Sequence, residues 1–361
     1  MTVCDVTIRE ASQMPGRSYS VDQRVKAGHV LDELGIGMIQ PGFPAIGSED
    51  REAVRRLAEA TTADICAIAR VVEGDIDAAV EADADVIQVF APVSDLQLKH
   101  VLGKSREELV SIASDAVEYA ADRGPTVMFG MMDGFRADPH QVQHLYGSIP
   151  DADAYLLADT VGSRTPSEVT SFLTELDTTG VELDEFGVHF HDDVGLATAN
   201  TREALRLGVG QIDVSVASLG ERAGNAALEE VVVASVLEAD DHLGIDTDRL
   251  IPSCRRVLEI LNEEVPDRKP ILGEQVFSHE SGIHTATMLD APETFEPFDP
   301  ADFGSRRELI FGEGTGRAAA TALLERAGRS PTDDRVKELL TLLVEEGPVG
   351  LDGALALAKE V

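Results

Sequence analysis

The chain has 361 residues, 43% of them hydrophobic, which is enough for a large core and for more than one compact unit. Its net charge of −36 disfavours nucleic acid and anionic membranes as partners. No apolar run of about 18 residues occurs, and the start MTVCDVTIRE lacks the basic and apolar parts of a signal peptide, so a soluble, cytoplasmic protein is expected.

Along the chain, short β-branched runs alternate with helical stretches. The first strand is predicted over 2–8 and a helix over 21–35, with Gly35 as its stop. Strands follow over 37–43, 64–70, 85–91, 126–132, 154–160, 186–192 and 211–217, with a helix over 49–60 and amphipathic segments between the others. Eight strands in this rhythm predict an α/β fold, a (β/α)8 TIM barrel over 1–235. An open doubly wound sheet is the alternative. No Gly-rich fingerprint follows the first strand, which argues against a dinucleotide-binding version of it. From 236 to 361 a smaller, mainly helical C-terminal subdomain is predicted. Its helices fall over 248–264, 316–327 and 333–345, after one over 228–240, with a loop-rich stretch over 266–314 and a short final helix.

Cys4, Cys66 and Cys254 are widely spaced and form no CxxC pair, which makes a zinc knuckle or a redox motif an unsuitable reading. Cys4 and Cys66 sit in strand-like runs and read as buried, reduced thiols. Only six residues are lysine and none is tryptophan. Acidic, lysine-poor composition fits a protein adapted to high cytoplasmic salt, where charge repulsion is screened.

In a barrel of this kind, chemistry sits at the C-terminal ends of the strands. The first such segment is DVTIRE. Strand alternation places Asp5, Thr7 and Arg9 on one side, and Glu10 where the strand turns out. Arg9 and Glu10 read either as a structural ion pair or as part of a site. HFHDD, over 189–193, closes the seventh strand. His189 and His191 share a face, as two nitrogen ligands of one metal would, and Asp192 or Asp193 could orient an imidazole. SLGERAGNAALEE, over 218–230, offers a tight glycine loop and the amide of Asn225. HESGIH, over 279–284, reads either as a capped turn or as a loop delivering His284 as an acid or base.

Together these segments resemble the metal-dependent acyl-CoA condensing enzymes, the 2-isopropylmalate, homocitrate and citramalate synthases. DVTIREASQMPG resembles D-x-T-x-R-D/E-G-x-Q-x-P-G, and HFHDDVGLATAN resembles H-x-H-N-D-x-G-x-A-x-A-N. SLGERAGNAALEE, FSHESGIH and ADTVGSRTP match further motifs of that family, in order and spacing along the whole chain. The resemblance implies that Glu10, His189 and His191, with Asn225, hold a divalent cation (Mg2+, Mn2+ or Zn2+). It implies that Arg9 stabilises the enolate or alkoxide, that Gln13 and Thr160 contact the α-keto acid, and that His284 moves protons. It further implies acetyl-CoA as co-substrate, a 2-hydroxy diacid as product, and a homodimer in which the second subdomain reaches the partner's barrel. A 2-isopropylmalate synthase-like acyltransferase of branched-chain amino-acid biosynthesis is expected. Homocitrate or citramalate specificity, a metal-dependent lyase or aldolase on the same barrel, and a non-catalytic paralogue are the alternatives.

The chain departs from the family pattern at several site positions. Ala11 and Ser12 follow the metal carboxylate, and Gln40 replaces a carboxylate on the second strand. Met132 stands where a glutamate closes the fifth strand, Phe295 where some members have tyrosine, and Glu313–Gly314 where Lys-His is usual. Methionine and phenylalanine carry no transferable proton. The glycine loop holds no cysteine, unlike that of the related hydroxymethylglutaryl-CoA lyases, and the leucine-sensing domain of regulated synthases is not expected.

Overall fold

The computed structural model describes residues 1–239 and 241–361. Eight parallel strands close into a barrel in chain order: β1 Thr2–Asp5, β2 Met38–Ile39, β3 Asp64–Arg70, β4 Val86–Pro92, β5 Thr126–Met132, β6 Ala154–Asp159, β7 Phe186–Phe190 and β8 Gln211–Val214. Closure is direct, because β1 pairs with β8 along Thr2–Gln211 to Asp5–Val214. That pairing rules out the open doubly wound sheet. The interior is plugged by Cys4, Val6, Met38, Cys66, Val86, Met128 and Leu156, a layer contributed by successive strands. All three cysteines are buried and unbridged.

The helices form where the sequence supplies both periodicity and ends. Val21–Leu34 begins at a capping box, Ser20 with Gln23, and stops at Gly35 in the left-handed conformation, φ 97°. Several strands are shorter than alternation predicts, β1, β2, β7 and β8 by two residues or more. β1 stops at Asp5 instead of residue 8, because Thr7 turns back on it. The Thr7 N–H and hydroxyl donate to the two Asp5 carboxylate oxygens at 2.9 and 2.8 Å. The chain then makes a helical turn, Thr7–Ala11, so Arg9 and Glu10 are presented by a helix and not by a strand end. β2 keeps only two of its seven predicted residues and then passes into Gln40.

The chain divides into two compact units, Met1–Glu264 and Val265–Val361. The first unit runs beyond residue 235 because helix Leu250–Leu261 packs on helix Val21–Leu34. Gln23 Nε2 donates to the Ile260 carbonyl at 2.9 Å, and the Tyr19 hydroxyl donates to Glu263 at 2.9 Å. The helix expected over 228–240 is seen over Leu228–Ala239, residue 240 lying outside the described residues.

The second unit is mainly helical, with Arg317–Arg326, Asp333–Glu346 and Leu351–Glu360 closing on Phe311, Leu323, Leu339 and Leu343. It also holds a three-stranded sheet in the order β11-β10-β9, from Val349–Gly350, Glu308–Phe311 and Ser278–His279. The stretch 266–314 is therefore not all loop, since it contributes β9, β10 and helix Gly282–Met288. Among the described residues no helix is long and apolar enough to cross a membrane.

Candidate metal centre

The turn after β1, the end of β7 and the loop after β8 converge on one point at the C-terminal mouth of the barrel. Glu10, His189 and His191 each offer one ligand atom there, all within 4.8 Å of one another. His189 Nε2 is 3.4 Å from His191 Nε2 and 3.7 Å from Glu10 Oε1. All three side chains are at most 7% exposed. Burying a carboxylate is costly unless it is paired or coordinated, and Arg9 pairs with only one of the two Glu10 oxygens. Glu10 Oε2, His191 Nδ1 and the Asn225 carbonyl oxygen are buried with no hydrogen-bond partner, so donor atoms at the cluster remain unsatisfied.

The protonation states suit a cation. Burial pushes the Glu10 carboxyl up, but Arg9, His189 and His191 together outweigh it and hold the group down at about 2. Burial, followed by the neighbouring His189, lowers His191 to about 3. Both groups are therefore in their ligand forms at neutral pH. His189 is oriented from behind. Its Nδ1 lies 3.0 Å from Asp213 Oδ2, and Gln211 Nε2 donates to the other Asp213 oxygen at 3.0 Å. A proton on Nδ1 leaves the Nε2 lone pair facing the cluster. Asn225 Nδ2 meets that lone pair at 3.1 Å. A half-turn of the amide would instead offer its orphaned oxygen.

The sequence placed the orienting carboxylate in HFHDD, and the structure corrects this. Asp192 accepts the Ala197 N–H at 2.8 Å, and Asp193 is bidentate with Arg222 at 2.8 and 2.9 Å. The carboxylate behind His189 comes from β8, which pairs in parallel beside β7. We expect Asp213→Ala to weaken divalent-metal binding by about 10–100-fold while the barrel stays folded. Competition against a metal-sensitive dye, with circular dichroism alongside, measures this. Unchanged affinity would remove Asp213 from the site.

A cavity of ≈ 280 Å³ opens beside the cluster, and Arg9, Gln13 and Thr160 line it together with Glu10, His189 and His191. Arg9 donates through Nη1 to Glu10 at 2.5 Å and through Nε to Gln40 at 2.7 Å. Gln40 passes the chain on to Gln88 at 2.9 Å. Thr160 Oγ1 accepts the Asp133 N–H at 2.8 Å. Met132 lines the cavity, whereas Asp133, at φ 62°, turns away to Ser94 and to Arg136, whose Nε lies 2.7 Å from it. The carboxylate next to Met132 thus does not replace the missing glutamate. Glu221 also lines the cavity and was passed over in the sequence reading, although it belongs to the same glycine loop. Gly224 in that loop has φ +85°, and a Cβ there would run into the Ser218 carbonyl.

His284 belongs to the second unit, in helix Gly282–Met288. Its ring stacks on Phe295, with centroids 4.0 Å apart, and lies 6.2 Å from the ring of His279.

Residues 1–257 match the HMGL-like family model, and residues 271–347 match the model described as homocitrate synthase post-HMGL domain-like. The chain belongs to the HMGL-like family. This HMGL-like chain is 41% identical over 341 residues to homocitrate synthase AksA of Methanopyrus kandleri, spanning 94% of this chain and 85% of that protein. To a protein of the same organism named "Probable 2-isopropylmalate synthase" it is 40% identical over 352 residues, spanning 96% and 70%. Among solved structures it resembles the HMG-CoA lyase of Bacillus subtilis with a TM-score of 0.64 and 22% identity. That match covers 74% of this chain and 95% of the lyase, and it speaks for the fold alone.

Proposed function

We propose that the protein condenses acetyl-CoA with an α-keto acid bearing an apolar side chain, releasing coenzyme A, as a 2-isopropylmalate synthase does. The observation that carries this reading is the make-up of the cavity. At one end stand Glu10, His189, His191 and Arg9. The remainder is lined mainly by apolar side chains, Ile68, Phe90, Met131, Met132, Leu156 and Ala158 among them, with Gln13, Gln88, Thr160 and Glu221 as its polar groups. Arg9 is the one guanidinium or ammonium among the lining residues, and it is already paired with Glu10. A keto acid with a second carboxylate would bury that charge without a free cationic partner, whereas a branched alkyl group is accommodated.

Glu10, His189 and His191, with Asn225, would hold the divalent cation. When bound it supplies Lewis-acid polarisation of a chelated carbonyl, and one carboxylate with two imidazoles suits Zn2+, Mn2+ or a similar ion. Thr160 and Gln13 orient the keto-acid carboxylate. The acetyl methyl loses a proton, its carbon bonds to the ketone carbon, and the ketone oxygen becomes an alkoxide that takes up a proton. Arg9 donates hydrogen bonds to that developing negative charge. Water then splits the thioester to a carboxylate and the free thiol. The reading assigns proton transfer to His284, in a homodimer of the kind the family resemblance implies, because Met132 has no proton to exchange.

The test is thiol release from acetyl-CoA with Mg2+, Mn2+ or Zn2+ in molar KCl, over pyruvate, 2-oxoisovalerate and 2-oxoglutarate. We expect 2-oxoisovalerate to be turned over with kcat/KM at least about 100-fold above 2-oxoglutarate, the penalty of one unpaired buried carboxylate. A preference for 2-oxoglutarate would move the assignment to homocitrate synthase. Cleavage of a hydroxy acid with no thiol release from acetyl-CoA would move it to a lyase.

A further inference from the structure

One side chain ties together three of the loops at the barrel mouth. Arg222 stands in the glycine loop after β8, and its guanidinium reaches the loops after β6 and β7. Nε and Nη2 donate to the two carboxylate oxygens of Asp193 at 2.8 and 2.9 Å. Nη2 also donates to the Thr160 carbonyl at 2.7 Å, and Nη1 to the Glu221 carboxylate at 3.0 Å. A planar fork suits such a junction, because its donors point in fixed and different directions. The backbone at Arg222 is left-handed, φ 58°, a conformation that a residue with a long side chain keeps only where its surroundings impose it.

Backbone contacts close the same seam. Gly162, in the loop after β6, has φ +60°, and a Cβ there would lie 2.5 Å from Asp193 Oδ2 and 2.8 Å from the His191 carbonyl oxygen. The Asp192 N–H donates to the Gly224 carbonyl at 2.8 Å, and His191 pairs with Asn225 in an isolated bridge. The three loops are thus in register with one another and with the metal centre.

Two of the groups that Arg222 holds face the cavity. Thr160 lines it, and its Oγ1 accepts the Asp133 N–H at 2.8 Å, so the hydroxyl proton is available to a group in the cavity. Arg222 fixes the same residue from its carbonyl side. Glu221 also lines the cavity, and its carboxylate would repel an anionic substrate if Arg222 did not stand beside it. Both Asp193 oxygens are taken by the guanidinium, so neither partner of this pair is left to ligate a cation.

We infer that Arg222, braced by Asp193, is a positioning residue for the α-keto acid, holding the Thr160 hydroxyl in register and neutralising Glu221. The inference rests on the keto-acid reading above and assigns this pair to substrate binding, not to holding the metal. The side chains are 37% and 26% exposed. An ion pair this open adds little to stability, so its loss should leave the barrel folded.

Two calorimetric titrations of the full chain test this: 2-oxoisovalerate into the Mn2+-loaded protein, and Mn2+ into the metal-free protein. Arg222→Gln is expected to bind 2-oxoisovalerate about tenfold more weakly, with the Kd for Mn2+ and the KM for acetyl-CoA unchanged. Asp193→Asn should show a smaller loss of the same kind. The double variant should be no weaker than Arg222→Gln alone, because the two residues act as a unit. Arg222→Lys should stay several-fold weak, since one ammonium cannot span the three partners. A folded Arg222→Gln, or a folded Asp193→Asn, with the wild-type Kd for 2-oxoisovalerate would overturn the assignment and leave the keto-acid reading standing. Equal losses toward Mn2+ and the keto acid, or additive losses in the double variant, would overturn it as well. A wild-type protein that takes up Mn2+ but binds none of pyruvate, 2-oxoisovalerate and 2-oxoglutarate would overturn both.

Discussion

His189→Ala is expected to leave a folded protein without stoichiometric divalent metal and with thiol release lowered by roughly 10³-fold or more. The expectation follows from where this ring stands. Its Nε2 is the shared neighbour of His191 Nε2, at 3.4 Å, and Glu10 Oε1, at 3.7 Å, while its Nδ1 is tied to Asp213. Removing it takes away both a ligand and the member that Asp213 holds in register. The remaining donors, Glu10, His191 and the weak amide oxygen of Asn225, include only one imidazole and hold a cation poorly against water. Glu10 stays paired with Arg9, so the variant does not strand a buried carboxylate, and unfolding is not the expected outcome. Elemental analysis of the purified variant, with thiol release at saturating substrate, decides the point. Full metal occupancy in His189→Ala would place the cation elsewhere.

The contrast with Asp213→Ala sharpens this. A ligand deletion should abolish binding at any reasonable metal concentration. The deletion of an orienting carboxylate should be overcome by raising the metal concentration. The two variants together separate a direct ligand from a group acting through it.

Much of the barrel was legible because its signal is periodic. β3 and β5 carry continuous apolar runs, Asp64–Arg70 and Thr126–Met132, and fall where the sequence puts them. The end of β1 was not legible. Alternation carries the strand on through Thr7 and Arg9, but the Thr7 hydroxyl binds the Asp5 carboxylate two residues back and starts a turn. The small sheet of the second unit escaped for a different reason. Strands of two to four residues, such as Ser278–His279, are too short to show a period of two, and they lie among glycines and prolines that read as loop. In the site, the i, i+2 spacing of His189 and His191 announced a shared face, and their Nε2 atoms do meet. The carboxylate behind His189 was hidden because the nearest aspartates in sequence, Asp192 and Asp193, are taken by a backbone N–H and by Arg222. The one in space comes from the next strand, β8, which pairs directly beside β7. The link from Arg9 through Gln40 to Gln88 was hidden in the same way. It joins β4 to residues just beyond the ends of β1 and β2, which are far apart in sequence.

That link makes Arg9 the position where two substitutions should give different answers. Arg9 uses Nη1 for Glu10 and Nε for Gln40, so its planar fork spans both partners at once. Arg9→Ala removes the charge and the fork. Burial alone would then push the Glu10 carboxyl up, with only the two imidazoles opposing it, so the metal site should lose affinity as pH falls toward the ordinary carboxylate range. The donor to the developing alkoxide goes as well, so kcat should drop by about 10²–10³-fold even where metal is saturating. Arg9→Lys keeps a positive charge near Glu10 but reaches only one partner. Its metal affinity should stay close to wild type and its kcat should fall less, by about 10–100-fold, with the KM for acetyl-CoA unchanged. Metal affinity measured between pH 5 and 8, beside saturating kcat for both variants, tests the two roles separately. If Arg9→Ala matched wild type in kcat once metal was restored, Arg9 would be a structural partner of Glu10 and nothing more. If Arg9→Lys lost metal as readily as Arg9→Ala, geometry at Gln40 rather than charge at Glu10 would be what holds the ligand in place.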